Sequence, residues 1–470
     1  MSLLLSLDLG TSKIALIAYD PTCRRIVSSV SAAVEAKMNS SPEFSLWDAQ
    51  WFWKKVLKLL TELSSQIDVK SCLGLAVTGQ QHGVVLLDRQ SPVRPCSPFI
   101  NWMDGRGCQK TFSKDRTLEE EIRERLSKVT NGELGCRMAT GYAGLTLFDL
   151  FQKNQIPSNA VMSFLTDYIN LCLCNSKHPV TDPSMAASSG LFDVRKQSWS
   201  EAALNALKLS RSLFPDLVLS GSLLGTLDSE VARITGLPDG LPVYQGIGDN
   251  QASILGSISS CSEINSTNVP VIINYGTGTQ VTVLADSFLS ADEFETRPFI
   301  DAQFLLVRAE PSGGRAYSLL KDFFQKTGQE LFQLNLDENI LFERMNRLAE
   351  EDVATQTICR PRFFPRRHSD GSEAQGSFSH LDAEHFTPGE FIRALLSGMA
   401  AESFEHWKVL TQIETNQSIE RYKLIGSGNL FRKNPAFRTF VERRFGQPVH
   451  LSEIREEAAV GTALLMAKIL

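Results

Sequence analysis

The sequence predicts an α/β protein built as two related lobes facing one cleft, and three observations carry that prediction. The first is a pair of glycine-centred hairpins. LLLSLDLGTSKIALIAYD at 3–20 and PVIINYGTGTQVTVLAD at 270–286 each read as strand, tight turn and strand, with Gly10 and Gly276 separated by 266 residues. The second is the alternation of strand and helix patterns around them, which argues for sheets covered on both faces. The third is length, because 470 residues exceed one ordinary core and read as two to three domains.

Taken in order, the elements follow from local signals. After the first hairpin, Phe52, Val56, Leu59, Leu60, Leu63 and Ile67 recur at helical spacing, and the apolar run Leu73 to Val77 follows as a strand. Residues 117–130 read as a helix. Thr117 and Glu120 are placed for a capping box, Leu118, Ile122, Leu126 and Val129 form one face, and Asn131-Gly132 is the stop. Gly246-Ile247-Gly248 reads as a glycine-rich turn and hinge, which puts a domain boundary near 250, shortly before the second hairpin. Near the end, Asn434-Pro435 opens a helix that Gly446 closes, and 455–469 is an alanine-rich helix.

Composition narrows the function. Lys and Arg number 47 against 53 Asp and Glu, a net charge of −6, so the chain has no overall basic field for nucleic acid or anionic membrane. Nine scattered cysteines form no CxxC pair and read as reduced thiols, and the run Leu3 to Leu7, cut by Asp8, fits neither a signal peptide nor a spanning helix. A cytoplasmic protein with no nucleic-acid or membrane partner is expected. The seven histidines show no zinc-ligand spacing.

The chemistry-bearing segments lie on turns. In Asp8-Leu9-Gly10-Thr11-Ser12 a glycine lets the backbone approach a phosphate, hydroxyls and N–H groups can bind its oxygens, and the aspartate can hold Mg²⁺ through water. Such a turn can also be a plain hairpin. Its recurrence at Gly276, Thr277, Gly278 and Thr279 favours the phosphate reading. Asp249, in GDNQAS, is either a helix N-cap or a general base for phosphoryl transfer. Gly79-Gln80-Gln81-His82-Gly83 and Asn101-Trp102-Met103-Asp104-Gly105-Arg106 offer a polyol both hydrogen-bonding groups and a flat apolar face. Alternatively Trp102 belongs to a core, His82 to a turn, and Asp104 with Arg106 to a surface ion pair. Gly426-Ser427-Gly428-Asn429 can pass a flat ring close to backbone, and Arg366-Arg367-His368 is a basic loop.

In this order, DLGTS, GQQHG, NWMDGR, GDNQAS, NYGTGTQV, SGG, GSGNLFRKNP and EEAAVGTAL resemble the FGGY family of carbohydrate kinases from Leu7 to Leu465. Gln-Ala-Ser after Asp249 and Ser312-Gly313-Gly314 make the chain most like the sedoheptulokinase branch, with the xylulokinase branch second. The resemblance implies two actin-like, ribonuclease-H-like lobes with an interlobe cleft. Residues 1–250 would form the sugar-binding lobe with the first phosphate hairpin, and 251–470 the ATP-binding lobe. It matches Asp249 to the catalytic base, which also faces the substrate, and Asp8 to the acid that positions Mg²⁺. Gly10, Thr11, Ser12, Gly276, Thr277 and Gly278 match the phosphate hairpins, and Gly426, Gly428 and Asn429 the adenosine side. Gln81, His82, Trp102, Asp104 and Arg106 match the sugar contacts. The chain departs from the pattern at Ala15, where the family often carries a basic residue that here stands at Lys13, at Gln81 in place of Met, and at Pro365-Arg366-Arg367.

The implied activity is phosphorylation of a ketose, sedoheptulose to its 7-phosphate or else a pentulose, by ATP with Mg²⁺, in a monomer or homodimer. Two rivals share the scaffold: an actin-like or Hsp70-like ATPase, which has no use for GQQHG and NWMDGR, and a sugar sensor with negligible turnover.

Overall fold

The computed structural model describes residues 2–110, 116–261, 268–351, 355–364, 375–412 and 421–470. Two six-stranded sheets form its two lobes. In the first, strands run in the order 223–226, 242–248, 72–79, 3–9, 13–20 and 25–33; in the second, 295–298, 304–310, 279–285, 269–275, 422–427 and 449–451. Each sheet is built around its hairpin. Leu3–Leu9 pairs antiparallel with Lys13–Asp20 and parallel with Cys72–Gly79, and Val269–Tyr275 pairs antiparallel with Thr279–Ala285 and parallel with Tyr422–Ser427. The two halves expected from the 266-residue offset thus share one strand plan.

Helices cover both faces. Against the first sheet, Ala49–Ser64 buries Phe52, Val56, Leu59, Leu60 and Leu63, the stripe its helical spacing predicts. The long helix Pro388–Thr411 and Pro435–Phe445 cover one face of the second sheet. The opposite faces are covered by an exchange. The helix Asp249–Ser259 follows the first sheet in the chain but sets Ile254 against Ile272 and Ile425 of the second. The last helix, Glu457–Ile469, returns to the first sheet and packs Ala459, Val460, Ala463 and Met466 on Leu4, Ile17 and Ala76.

These two helices touch through glycine. A Cβ at Gly461 would strike the carbonyl of Ala252, and one at Gly256 the carbonyl of Glu457. The small-residue run in the last helix is therefore a backbone crossing between the lobes.

Cap chemistry matches the sequence closely. Thr117 and Glu120 form both halves of a capping box on Leu118–Ser127, Asn434 caps Pro435–Phe445, and Gly446 ends that helix in the left-handed region. Two expectations fail. Val129 lies beyond the helix end and is exposed. Gly246-Ile247-Gly248 is not a turn but the buried end of the strand Pro242–Gly248, its glycines required because a Cβ at Gly246 would strike Val77 and one at Gly248 the amide of Gln81. All nine cysteines are free thiols. No helix among the described residues is long and apolar enough to cross a membrane.

Candidate active site

Three parallel strands bring two carboxylates to one edge of the first sheet. Asp8 stands in register with Thr78, and Gly248 with Gly79, so Asp8 and Asp249 meet at the carboxyl ends of Leu3–Leu9 and Pro242–Gly248. Open α/β sheets bind their ligands at that edge. Asp249 is the first residue of its helix and not the cap. The cap position is Gly248, which makes no side-chain bond, while Asp249 Oδ1 accepts the Asn250 amide at 2.7 Å. Exclusion of water raises the Asp249 carboxyl to about 6, against the pull of the Asn250 amide and Arg297. Burial raises Asp8 to about 8, reinforced by the charges of Asp249 and Glu456 and opposed by Lys13. Asp8 Oδ1 is buried without a hydrogen bond. An orphaned carboxylate oxygen beside a second carboxylate suits a bound cation.

A short polar chain holds Asp249 in place. Asp182 caps Pro183–Ala187 and accepts the amide and hydroxyl of Ser184, at 3.0 and 2.6 Å. The Ser184 hydroxyl accepts the Gly248 amide at 2.8 Å, and its carbonyl accepts Gln81 Nε2 at 3.0 Å. Thr78 donates to the Ile247 carbonyl at 2.5 Å. The strand end that carries Asp249 is thereby tied to the GQQHG turn.

Next to it lies a narrow pocket lined by Gln81, His82, Tyr142, Ser184 and Ser188 from the first lobe and Gln251, Glu295 and Arg297 from beyond residue 250. His82, at φ 70°, stacks on Tyr142 with ring centroids 4.2 Å apart. Its Nδ1 lies 2.7 Å from the Ser188 carbonyl, so that nitrogen carries a proton. Tyr142 reaches across the cleft to Glu295 at 3.1 Å, Glu295 holds Arg297 at 2.6 Å, and Arg297 donates to Asn250 at 2.9 Å. Pairing its charges lets this wall present polar groups without a net field.

The two hairpin tips are held by different partners. Trp102 Nε1 donates to Thr11 Oγ1 at 2.9 Å, and Gln80, bonded to Asn101, reaches the Gly10 carbonyl at 3.4 Å. Ser12 is exposed, and Lys13 turns away to Glu456 at 2.7 Å. Ala15 is buried directly across the ladder from Asp8, so the position paired with the acid carries no cation. At the second tip the carbonyls of Gly276 and Thr277 accept the amides of Gly314 and Arg315, at 2.9 and 3.2 Å. Gly278 and Gly313 are in backbone contact. Gly428, at φ 92°, lies so close to Tyr275 that a Cβ would strike its carbonyl, and Asn429 opens an exposed turn of helix. Glu457 accepts Ser427 at 3.1 Å and Arg432 at 2.5 Å, joining the last helix to this loop.

Asp8, Asp249, Gln81 and His82 therefore come together at or beside the cavity, and Trp102 stands at the first hairpin. Asp104 and Arg106 are inside the protein and are not a surface pair. Arg106 holds Asp104 at 2.6 Å and Asp149 at 3.2 Å, while Asp104 also accepts the Ser45 amide at 2.9 Å. Their polar groups are engaged with one another and support the Trp102 loop from below. Gly426 is likewise internal, since Val449, Phe431 and Leu451 fill the space where its side chain would be. Arg366, Arg367 and His368 lie outside the described residues. Sequence reasoning missed Tyr142, Ser184, Ser188, Glu295 and Arg297. A signal existed for one of them, because Asp182-Pro183 is a helix-start pattern that leads straight into Ser184.

Comparisons with known proteins agree with this geometry. Residues 3–256 match the N-terminal domain of the FGGY family of carbohydrate kinases. The chain is 25% identical to human sedoheptulokinase over 99% of its own length and 97% of that protein's. It is 28% identical to the xylulose kinase of Escherichia coli K12, over 63% and 57% of the two chains. In fold it resembles the xylulose kinase of Rhodospirillum rubrum, with a TM-score of 0.83 at 22% identity, covering 99% of this chain and 89% of that one. The Plasmodium falciparum glycerol kinase with ADP gives a TM-score of 0.79 at 19% identity, covering 100% and 90%. The filament and chaperone readings fall away, and the match over more than half the chain, on a two-lobed actin-like fold, makes this protein a member of the FGGY family and a sugar kinase.

Proposed function

We propose that this kinase transfers the γ-phosphoryl group of ATP to a primary hydroxyl of a ketose, with sedoheptulose as the substrate and its 7-phosphate as the product. The observation that carries the reaction is Asp249, a partly dehydrated carboxylate with a second carboxylate, Asp8, beside it, two residues before Gln251 of the pocket lining. The preference for a seven-carbon sugar is supported by the likeness to sedoheptulokinase along almost the full length of both chains.

In this mechanism Asp249 takes the proton from the attacking hydroxyl as its oxygen displaces ADP from the γ-phosphorus. A carboxylate at about 6 is ionised at neutral pH and more basic than an ordinary aspartate. Gln81, His82 and the Tyr142–Glu295–Arg297 wall bind and orient the polyol, and Trp102 supplies a flat face near the first hairpin. Asp104 and Arg106 act through the loop they support. N–H groups at the tips of both hairpins receive phosphate oxygens, and Gly428 with Asn429 borders the adenosine. Asp8, with its unpartnered oxygen, would hold Mg²⁺, which when bound offsets negative charge on the phosphates. The presence of both Asp8 and Asp249 in one edge argues for turnover rather than sensing. Nine free thiols fit the reducing cytoplasm.

Asp249→Asn should lower kcat about 10²–10⁴-fold, the usual span for a general base, with sugar KM nearly unchanged. Near wild-type kcat would remove Asp249 from its role. A coupled ADP-release assay across sedoheptulose, xylulose, ribulose, fructose and glycerol ranks kcat/KM. A higher value for xylulose would replace the seven-carbon assignment and leave the kinase chemistry standing.

A further inference from the structure

Behind the second hairpin, on the face away from the cleft, the structure holds a buried group that the phosphoryl-transfer chemistry does not use. Glu310 ends the strand Phe304–Glu310, directly across the ladder from Thr279. Glu402 and His406 sit four residues apart on the helix Pro388–Thr411 and so project from the same side of it. One ligand atom from each of the three lies within 4.8 Å of the others, and no side chain is more than 9% exposed.

Arg362 Nε reaches Glu402 Oε1 at 3.4 Å from a half-exposed position. The independent observation is His406. Only 2% exposed, it has no hydrogen-bond partner on either ring nitrogen, and Nε2 stands 3.5 Å from Glu310 Oε1. A buried imidazole without a hydrogen bond on either nitrogen, facing two carboxylates, offers one ion a set of three ligand atoms.

We propose that Glu310, Glu402 and His406 bind a divalent first-row metal of borderline softness, of the zinc, cobalt or manganese class. One imidazole nitrogen with two carboxylate oxygens suits such an ion, whereas Mg²⁺ favours an all-oxygen shell with retained water. The metal would be a brace distinct from the Mg²⁺ at Asp8. It would pin the end of the strand at Glu310, whose carbonyl sits against Gly278, to the long helix that already accepts Tyr275 at the Met399 carbonyl, 2.7 Å away. Binding of this metal is independent of the reaction proposed above, and only its effect on the second hairpin rests on that hairpin holding ATP.

The test uses the full chain, stripped with a chelator, desalted, and titrated with Co²⁺ as an optical probe and with Zn²⁺ by calorimetry, without nucleotide. One equivalent should bind, with visible Co²⁺ ligand-field absorption and a metal-dependent rise in Tm. Asp8→Asn should keep that equivalent. His406→Gln and Glu402→Gln should each weaken it at least about 10-fold, since even outer-sphere changes cost that much at metal sites. They should also lose the Tm rise while keeping the wild-type circular dichroism, and if one variant does not fold the other decides. Absence of the equivalent in the wild-type chain, or its persistence in both folded variants, overturns the site. A KM for ATP that rises several-fold on stripping, with sugar KM constant, supports the brace. An unchanged KM overturns the brace, while the metal titration continues to stand or fall by itself.

Discussion

The two hairpins are the same device used in two ways. At the 266-residue offset Asp8 corresponds to Asn274, Gly10 to Gly276, Thr11 to Thr277 and Ser12 to Gly278. Both open a central strand with an antiparallel partner on one side and a parallel neighbour on the other, and even the neighbours agree, since Asp8 faces Thr78 and Asn274 faces Ser427. The difference lies in what holds each tip. The first is held by side chains, Trp102 on Thr11, Gln80 on Gly10 and Lys13 on Glu456, beside the backbone bond from the Val34 amide to the Ser12 carbonyl. Backbone holds the second, with Gly313 and Gly314 pressed against Gly278 and Gly276. Only the first carries a carboxylate. A duplicated scaffold thus separates charge, carried by the first tip, from close backbone fit, carried by the second.

The sharpest way to break this comparison is to erase the charge. Asp8→Asn gives the first hairpin the amide that the second already has, and kcat/KM should fall about 10²-fold or more, as loss of several kcal/mol of metal-assisted charge stabilisation requires. The same change should stabilise the metal-free protein at high pH. Folding raises the Asp8 carboxyl from 3.8 to about 8, so between those values the folded state keeps a proton that the unfolded state releases. The stability tied to that proton is fully present below 3.8 and is lost as pH rises through about 8. Melts in chelator should therefore show Asp8→Asn above the wild type at pH 9, with the gap closing toward pH 4. A variant that melts below the wild type at pH 9 would show that the buried charge is satisfied by protein groups.

Glycine replacements give an intermediate effect and expose the asymmetry directly. A Cβ at Gly10 would lie 2.7 Å from the Lys13 carbonyl, whereas one at Gly276 meets nothing nearer than Asn274 Oδ1 at 3.7 Å. Gly10→Ala should lower Tm by several degrees and raise ATP KM about 10-fold, in line with the roughly 1–3 kcal/mol that overpacking costs. Gly276→Ala should melt within a degree or so of the wild type. Equal losses at the two positions would mean that the tips are held alike. The acid limb of activity is smaller still. With Asp249 as the proposed base, active only when ionised, kcat/KM should rise with pH through about 6 and level off above it, and that limb should vanish in Asp249→Asn.

Local signals carried the fold as far as local signals reach. Gly10 and Gly276 marked both hairpins, Thr117 with Glu120 marked a capping box, and Asn434 with Gly446 bounded a helix, because turns and caps are chemistry between residues at most a few positions apart. The site was legible only in its turns. Glu295 and Arg297 lie on the short strand Glu295–Pro298, and no local pattern says that Tyr142 closes on them across the cleft. Asp104 with Arg106 looked like a surface pair since its third partner, Asp149, is 43 residues away. Gly246-Ile247-Gly248 looked like a hinge because a glycine selected for close strand packing has the same letter as one selected for a turn. The return of the last helix to the first sheet is a fact of topology that no short window contains.

The weakest contact at the first hairpin gives the smallest prediction. Lys13 is the basic residue closest to Asp8 along that hairpin, and a catalytic part for it would make the first tip cationic and unlike the second. Its Nζ instead lies 2.7 and 2.9 Å from the two oxygens of Glu456, with 46% of the lysine side chain exposed. Exposed pairs of this kind contribute roughly 0–1 kcal/mol and are screened by salt. Lys13→Ala should therefore leave kcat within about 3-fold, with stability changed by no more than that range and the difference shrinking as salt is raised. Glu456→Gln should reproduce the small stability effect, since either change dissolves one pair. A fall in kcat beyond about 10-fold in Lys13→Ala alone, with Glu456→Gln unaffected, would show that the lysine leaves the pair to meet the transferring phosphate. The first hairpin would then work through a side-chain cation as well as a carboxylate, and the separation of charge from backbone fit would be wider than the resting contacts show.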